Sequence, residues 1–183
     1  KDIIVATQKS GKGYAFDPDN NGDLLWTYAW GQGSAAGGVY GTASDGERAF
    51  FAVADNGTSA PGGLHGVDLK TGERLWFTPP ADLLCRSGAG CSPVQGAAVT
   101  AMPGVVFSGS NDGGLRAYDS ATGKVIWTFD TNPAFNTING ITANGGSMDG
   151  PGPVIANGLV YVTAGNGGPF GRPGNVLLVF GVE

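Results

Sequence analysis

GLRAYDSATGKVIWTFDT, residues 114–131, reads as a strand, a polar turn and a second strand, and it is one of three copies. The others are GLHGVDLKTGERLWFTPP from Gly63 and GYAFDPDNNGDLLWTYAW from Gly13. Asp17, Asp68 and Asp119 stand 51 residues apart, while Trp26, Trp76 and Trp127 are separated by 50 and then 51. That period belongs to a unit of about four strands, repeated radially. The residue types have a mechanical reading. Asp and Thr-Gly shape a tight turn, and a large aromatic on the following strand fills the wedge between neighbouring units. The copy at Gly13 lacks the Thr and carries one additional turn residue, so it is degenerate.

Working outward, another apolar run precedes each copy: DIIVAT, RAFFAVA and VVFSGS, with LVYVTAG before the final NVLLVFGV. Before the last three of these runs come GVYGTAS, QGAAVTA and GPVIA. The pattern predicts an all-β fold, a β-propeller of four-stranded antiparallel blades with about three and a half blades present. Lettering strands A to D outward from the central axis, the chain reads BCD, ABCD, ABCD, ABC. The blades fall at approximately 1–31, 38–79, 95–132 and 150–183 of one partial propeller domain. The last blade lacks its outer D strand, which propellers commonly borrow from the opposite end of the chain. The first lacks its inner A strand. Together these predict a C-terminal fragment of a larger propeller.

Composition agrees. The 34 glycines and 11 prolines suit many short strands joined by turns and disfavour long helices. No apolar run approaches the roughly 20 residues that cross a bilayer as a helix. A net charge of −5 without a Lys/Arg cluster argues against nucleic acid as a partner. Cys85 and Cys91 flank a short polar segment able to close a small disulfide loop, which favours an oxidising compartment such as the periplasm.

Topology locates the chemistry. D-to-A and B-to-C connections emerge on one face of a propeller, and the D-to-A connections lead to the axis. Two of them, roughly residues 79–94 and 132–149, are far longer than a hairpin needs. The second supplies Asn136, Asn139, Ser147 and Asp149, oxygen donors of the kind a hard cation such as calcium prefers. Asp149 also suits a general base that takes a hydroxyl proton, or simply an Asp-Gly turn entering strand A. Gln95 opens strand A of the preceding blade and can either bond a cofactor carbonyl or cap its own loop. Asn166 and Asp112 lie at B-to-C turns on the same face, and Asp112-Gly113 suits a hairpin turn. His65 sits among alternating residues of a strand and reads as a packed or solvated imidazole.

The repeated AxDxxTGxxxW resembles the tryptophan-docking motif of the PQQ-dependent quinoprotein alcohol dehydrogenase family, where PQQ is pyrroloquinoline quinone. The stretches CSPVQGAAVTAMPGVVFSGSNDGGLRAYDSATGKVIWTFDT and NGGSMDGPGPVIANGLVYVTAGNG, within residues 91–166, look most like the polyvinyl-alcohol dehydrogenase branch of that family. The resemblance implies an eight-bladed periplasmic propeller oxidising secondary or polymeric alcohols. PQQ and calcium would sit at one end of its channel, and electrons would pass to an acceptor such as cytochrome c. On that reading Gln95, Ser147, Asn139 and Asn166 contact the cofactor, Asp149 and Asn139 bind the metal, and Asp149 is the base. Two departures stand out. The cysteines are not adjacent as in methanol-dehydrogenase-like relatives, and Gln95 stands where such relatives often carry Trp. No CxxCH is present to attach haem. The same repeat also builds scaffolds for periplasmic protein assembly that have no cofactor, and this is the competing reading.

Overall fold

A computed structural model of the chain describes residues 1–35, 40–88, 90–165 and 170–182. No helix occurs among them. The strands form separate antiparallel sheets in chain order. The first sheet holds β1 (Ile4–Gln8), β2 (Lys12–Asp17) and β3 (Asp23–Ala29). The second holds β4 (Ala43–Ser44), β5 (Arg48–Ala52), β6 (Leu64–Asp68) and β7 (Arg74–Thr78), and the third β8 (Thr100–Met102), β9 (Val105–Gly109), β10 (Gly114–Asp119) and β11 (Val125–Asp130). A two-stranded hairpin, β12 (Ala134–Asn136) with β13 (Thr142–Asn144), precedes the last sheet of β14 (Val154–Ala156), β15 (Leu159–Ala164) and β16 (Val176–Gly181). The sheets therefore run three, four, four and three strands, as the repeat predicts. The hairpin is an addition: it lies inside the second long connection, which the sequence presented as a loop.

The sheets stack face to face. Phe51 of β5 packs on one side with Ala15, Trp26 and Trp30, and its neighbour Phe50 packs on the other with Val99, Val106 and Tyr118. Successive residues of a strand point to opposite faces, so an inner sheet needs apolar side chains at both parities. Accordingly β5 and β10 are buried almost throughout, whereas β1 and β16 alternate, because an end sheet has one neighbour. The innermost strands approach one another at their starts. Val99 N–H donates to Gly41 O at 3.3 Å, and Ala98 N–H to Gly150 O at 3.0 Å.

The tryptophans follow one rule and one exception. The Trp26 indole N–H donates to Leu69 O at 3.0 Å, and that of Trp76 to Ser120 O at 3.1 Å, each reaching the turn of the next sheet. Each indole also lies on the turn glycine: a Cβ at Gly72 would fall 2.7 Å from Trp26, and one at Gly123 2.4 Å from Trp76. Both glycines have positive φ, so no other residue serves there as well. Opposite each tryptophan the C–D pairing slips by one residue, between Ala15/Phe16, Gly66/Val67 and Ala117/Tyr118. Trp127 breaks the rule. Burial between sheets is expected of it, but it is 37% exposed, touching Phe129 and Phe180 beside an open apolar groove of about 390 Å³ lined by Val105, Ile126 and Val160. Among the described residues no Asp-x-x-Thr-Gly turn lies beyond Trp127 for its indole to dock on.

Candidate functional site

The face made by the D-to-A and B-to-C connections is held by three polar anchors. In the first, Asp112 and Arg116, both essentially buried, pair at 2.8 Å. Ser110 donates to the same carboxylate, and Gly114 N–H adds a bond of 2.9 Å. Burial pushes the Asp112 carboxyl up, but the Arg116 and Ser110 bonds and the guanidinium charge outweigh it and hold it below its usual range. The pair reaches across to the first long connection, where Leu84 N–H donates to Asp112 at 3.2 Å and Arg116 to Asp82 O at 3.3 Å. Asp112 is therefore more than a hairpin residue, although it does shape that turn.

The second anchor is the Cys85–Cys91 disulfide, which closes a loop of sequence separation 6 within the same connection. Arg172 forms the third. It donates to Ser87 O at 3.0 Å and to Asn132 Oδ1 at 3.1 Å, so it ties the disulfide loop to the start of the second connection.

The candidate residues divide by their hydrogen bonds. Gln95, 4% exposed, accepts from Gly63 N–H at 2.7 Å and donates to Ser108 at 2.8 Å, so its amide is engaged at both ends by protein. Neither partner lies in its own connection, residues 79–94. Ser147 is fully buried, donating to Asn111 O at 2.6 Å and accepting from Arg172 N–H at 2.7 Å. Asn139 closes the turn of the hairpin, accepting from Thr137 and from Ile141 N–H at 3.3 Å, and Asn136 is an exposed strand residue beside it. Asn166 lies outside the described residues. Asp149 differs from all of these. Its Oδ1 is buried with no hydrogen-bond partner, and it packs on Gly96, where a Cβ would fall 2.7 Å away. Burial pushes the Asp149 carboxyl up, and a bond from Gly150 N–H offsets this only in part.

Sequence reading missed Asn111. It is 2% exposed and donates through Nδ2 to Phe170 O at 3.2 Å, yet its Oδ1 is buried and unpartnered. The segments carrying the two unpartnered oxygens meet. Asn111 N–H donates to Val94 O at 2.8 Å, and Met148 N–H to Ser110 O at 3.1 Å. A hairpin turn reading of Ser-Asn-Asp-Gly gave no reason to single out the Asn.

Calcium takes six to eight oxygens, and among the described residues no three His, Cys, Asp or Glu side chains cluster. Asp149 offers one ligand, while the Asn139 oxygen is turned into its own hairpin. A carboxylated quinone needs donors; those of Gln95 and Ser147 are engaged by protein, and Arg172 gives one bond each to Asn132 and Ser87 from its five N–H groups. The residues present do not by themselves make a calcium or PQQ site.

Radially stacked antiparallel sheets docked by tryptophan on an Asp-x-x-Thr-Gly turn define a PQQ-type β-propeller, present here in part. The PQQ_2 family, described as outer membrane protein assembly factor BamB, matches residues 60–171, and the chain belongs to it. Among curated proteins it is 43% identical over 196 residues to a polyvinylalcohol dehydrogenase of Pseudomonas sp., and 40% identical over 200 residues to another of Sphingopyxis sp. strain 113P3. Each match covers 100% of this chain but 31% of the relative. The resemblance to quinoprotein alcohol dehydrogenases is thus borne out. A solved quinohemoprotein alcohol dehydrogenase from Pseudomonas putida HK5 superposes with a TM-score of 0.58 over 90% of this chain and 27% of its own, at 19% identity, which supports the fold.

Proposed function

We propose that the chain is the C-terminal part of a PQQ-dependent dehydrogenase that oxidises secondary or polymeric alcohols in the periplasm and passes electrons to a cytochrome. The observation that carries this reading is the likeness to polyvinylalcohol dehydrogenases along the whole chain, both long connections included. PQQ, which would be held by parts of the ring outside this chain, would supply the hydride acceptor. The role assigned to this chain is the proton. Asp149, made more basic by burial, accepts the hydroxyl proton of the alcohol at its free Oδ1. The Asp112–Arg116 pair and Arg172 keep the surrounding connections in place.

The test uses the full-length protein with an alcohol and an artificial electron acceptor. Turnover requiring added PQQ and calcium, and falling at least a hundredfold in Asp149→Asn, is the expected result. An unaffected variant removes Asp149 from the chemistry. The family description favours a second reading, a cofactor-free assembly scaffold. A full-length protein that is inert and binds no PQQ would establish that reading instead.

A further inference from the structure

Asp149 takes its position from the residues on either side of it. After it, Gly150 O accepts Ala98 N–H at 3.0 Å. Before it, Met148 donates its N–H to Ser110 O at 3.1 Å and buries its side chain completely with Leu115 and Val162. Ser147 is bonded twice to the backbone of Arg172: its N–H donates to Arg172 O at 3.0 Å, and its hydroxyl oxygen accepts Arg172 N–H at 2.7 Å. A Cβ on Gly146 would fall 2.5 Å from Arg172 O, so the two segments lie backbone on backbone. The connection that carries the carboxyl therefore leans on Arg172 just before reaching it.

Arg172 itself stands between β15 and β16, outside any strand, so no ladder fixes it. The loop between the two cysteines does much of that work. Gly90, with φ +76°, comes so near that a Cβ there would fall 2.5 Å from Arg172 N and 2.6 Å from Gly171 C. The guanidinium adds to the contact: Nη2 donates to Ser87 O at 3.0 Å, and Nη1 to Asn132 Oδ1 at 3.1 Å. A planar fork meets two such acceptors at once, which a single ammonium does less well. Ser87 and Gly90 both belong to RSGAG, a stretch with no large apolar side chain to pack, so its shape depends on the Cys85–Cys91 bridge that closes it.

From this chain of contacts we infer that Arg172 is a positioning residue for Asp149, and that the Cys85–Cys91 bridge acts through it, so that the carboxyl is held for its task only when the bridge is closed. The inference rests on the reading of Asp149 as the base for its place in a reaction, whereas the brace itself does not depend on turnover. Without the bridge, Ser87 and Gly90 separate from Arg172, and the backbone pair between Arg172 and Ser147 loses its support from behind. The segment before Asp149 then moves more freely, and water reaches a carboxyl that burial otherwise pushes up. Arg172 acts on Asp149 through Ser147 and Met148 and touches no substrate.

The experiment compares the full-length protein with Cys85→Ser/Cys91→Ser, Arg172→Met and Arg172→Lys. Amide hydrogen exchange is followed over residues 145–150, with residues 48–52 of β5 as the control, and kcat, KM and the acid limb of the pH profile are measured on a short secondary alcohol. Loss of the bridge and Arg172→Met are each expected to speed exchange at 145–150 about tenfold and leave β5 unchanged. Each should also lower kcat about tenfold while KM changes by less than about twofold. The acid limb should move to lower pH, because a solvated carboxyl ionises more readily. Arg172→Lys, able to keep one of the two side-chain bonds, should fall between, and combining Arg172→Met with the cysteine variant should add little, since both break one link. Unchanged exchange at 145–150, equal acceleration in β5, additive losses, or an unmoved acid limb overturns the inference. A protein that oxidises no alcohol, yet shows this exchange pattern, would sink the dehydrogenase reading and sustain the brace.

Discussion

The indole N–H of Trp76 donates to the carbonyl of Ser120, 44 residues further along the chain, across the boundary between two sheets. The same ring covers Gly123, whose φ is +72° and whose missing side chain is what lets the ring lie flat on the turn. Trp76 is only part-buried, so Trp76→Ala should cost somewhat less than the about 3–5 kcal/mol of truncating a fully buried aromatic. Gly123→Ala should cost about 1–3 kcal/mol through strain and overpacking together. Trp127→Ala, with no turn beneath its ring, should cost clearly less than Trp76→Ala in the 183-residue chain. Urea unfolding of the three variants ranks them, and equal losses for the two tryptophans would refute the docking account.

Arg116→Met leaves Asp112 buried without its partner. The expected loss is about 3–5 kcal/mol, the usual consequence of stranding a buried charge. Adding Asp112→Asn should recover part of it. Because both residues hold the backbone at Asp82 and Leu84, limited proteolysis should cut residues 82–88 faster in the single variant. A single variant as stable as the wild type would mean that the pair is dispensable.

The Cys85–Cys91 bridge closes a loop of sequence separation 6, small enough that its effect on the unfolded chain is modest, about 2 kcal/mol. Alkylation without reductant should label no thiol, and a Cys85→Ser/Cys91→Ser protein should fold with a lower melting temperature. Two labelled thiols in material from an oxidising compartment would disprove the bridge.

His65 provides a pH dependence. Burial first, and the nearby Arg74 charge second, push its imidazole down to about 4 from an ordinary 6.5. The neutral ring is hydrogen-bonded through Nδ1 to the Tyr28 hydroxyl at 2.7 Å. Below pH 6.5 the unfolded chain takes up a proton that the folded chain refuses. Stability is then fully present above 6.5, declines by about 3 kcal/mol as pH falls toward 4, and levels off below it. His65→Gln should flatten that part of the curve. Parallel wild-type and variant curves between pH 6.5 and 4 would contradict the assignment.

The sheet order was legible because a repeat announces itself three times: each Asp, Thr-Gly and Trp confirms the others, and period-two runs fill the intervals. The fate of Trp127 was not, since its motif is identical to that of Trp76 and only the packing shows that no described turn receives its indole. Site residues were harder for a related reason. Gln95, Ser147 and Asn139 have the chemistry of ligands, and only the structure shows that each is also hydrogen-bonded within the protein, to partners up to 36 residues away. Asp149 was visible as an acid on the right loop, although only the packing against Gly96 shows an oxygen without a donor. Asn111 was hidden by a turn motif that explains its neighbours completely.

The tryptophan bonds all point forward. Trp26 finds its acceptor 43 residues later and Trp76 44 residues later. On a ribosome each sheet would emerge before the turn that secures it, and would wait for one further blade of synthesis before its indole is held. Each of these two indoles thus gains its acceptor only once the next sheet has been made, so the order of synthesis and the order of docking run the same way.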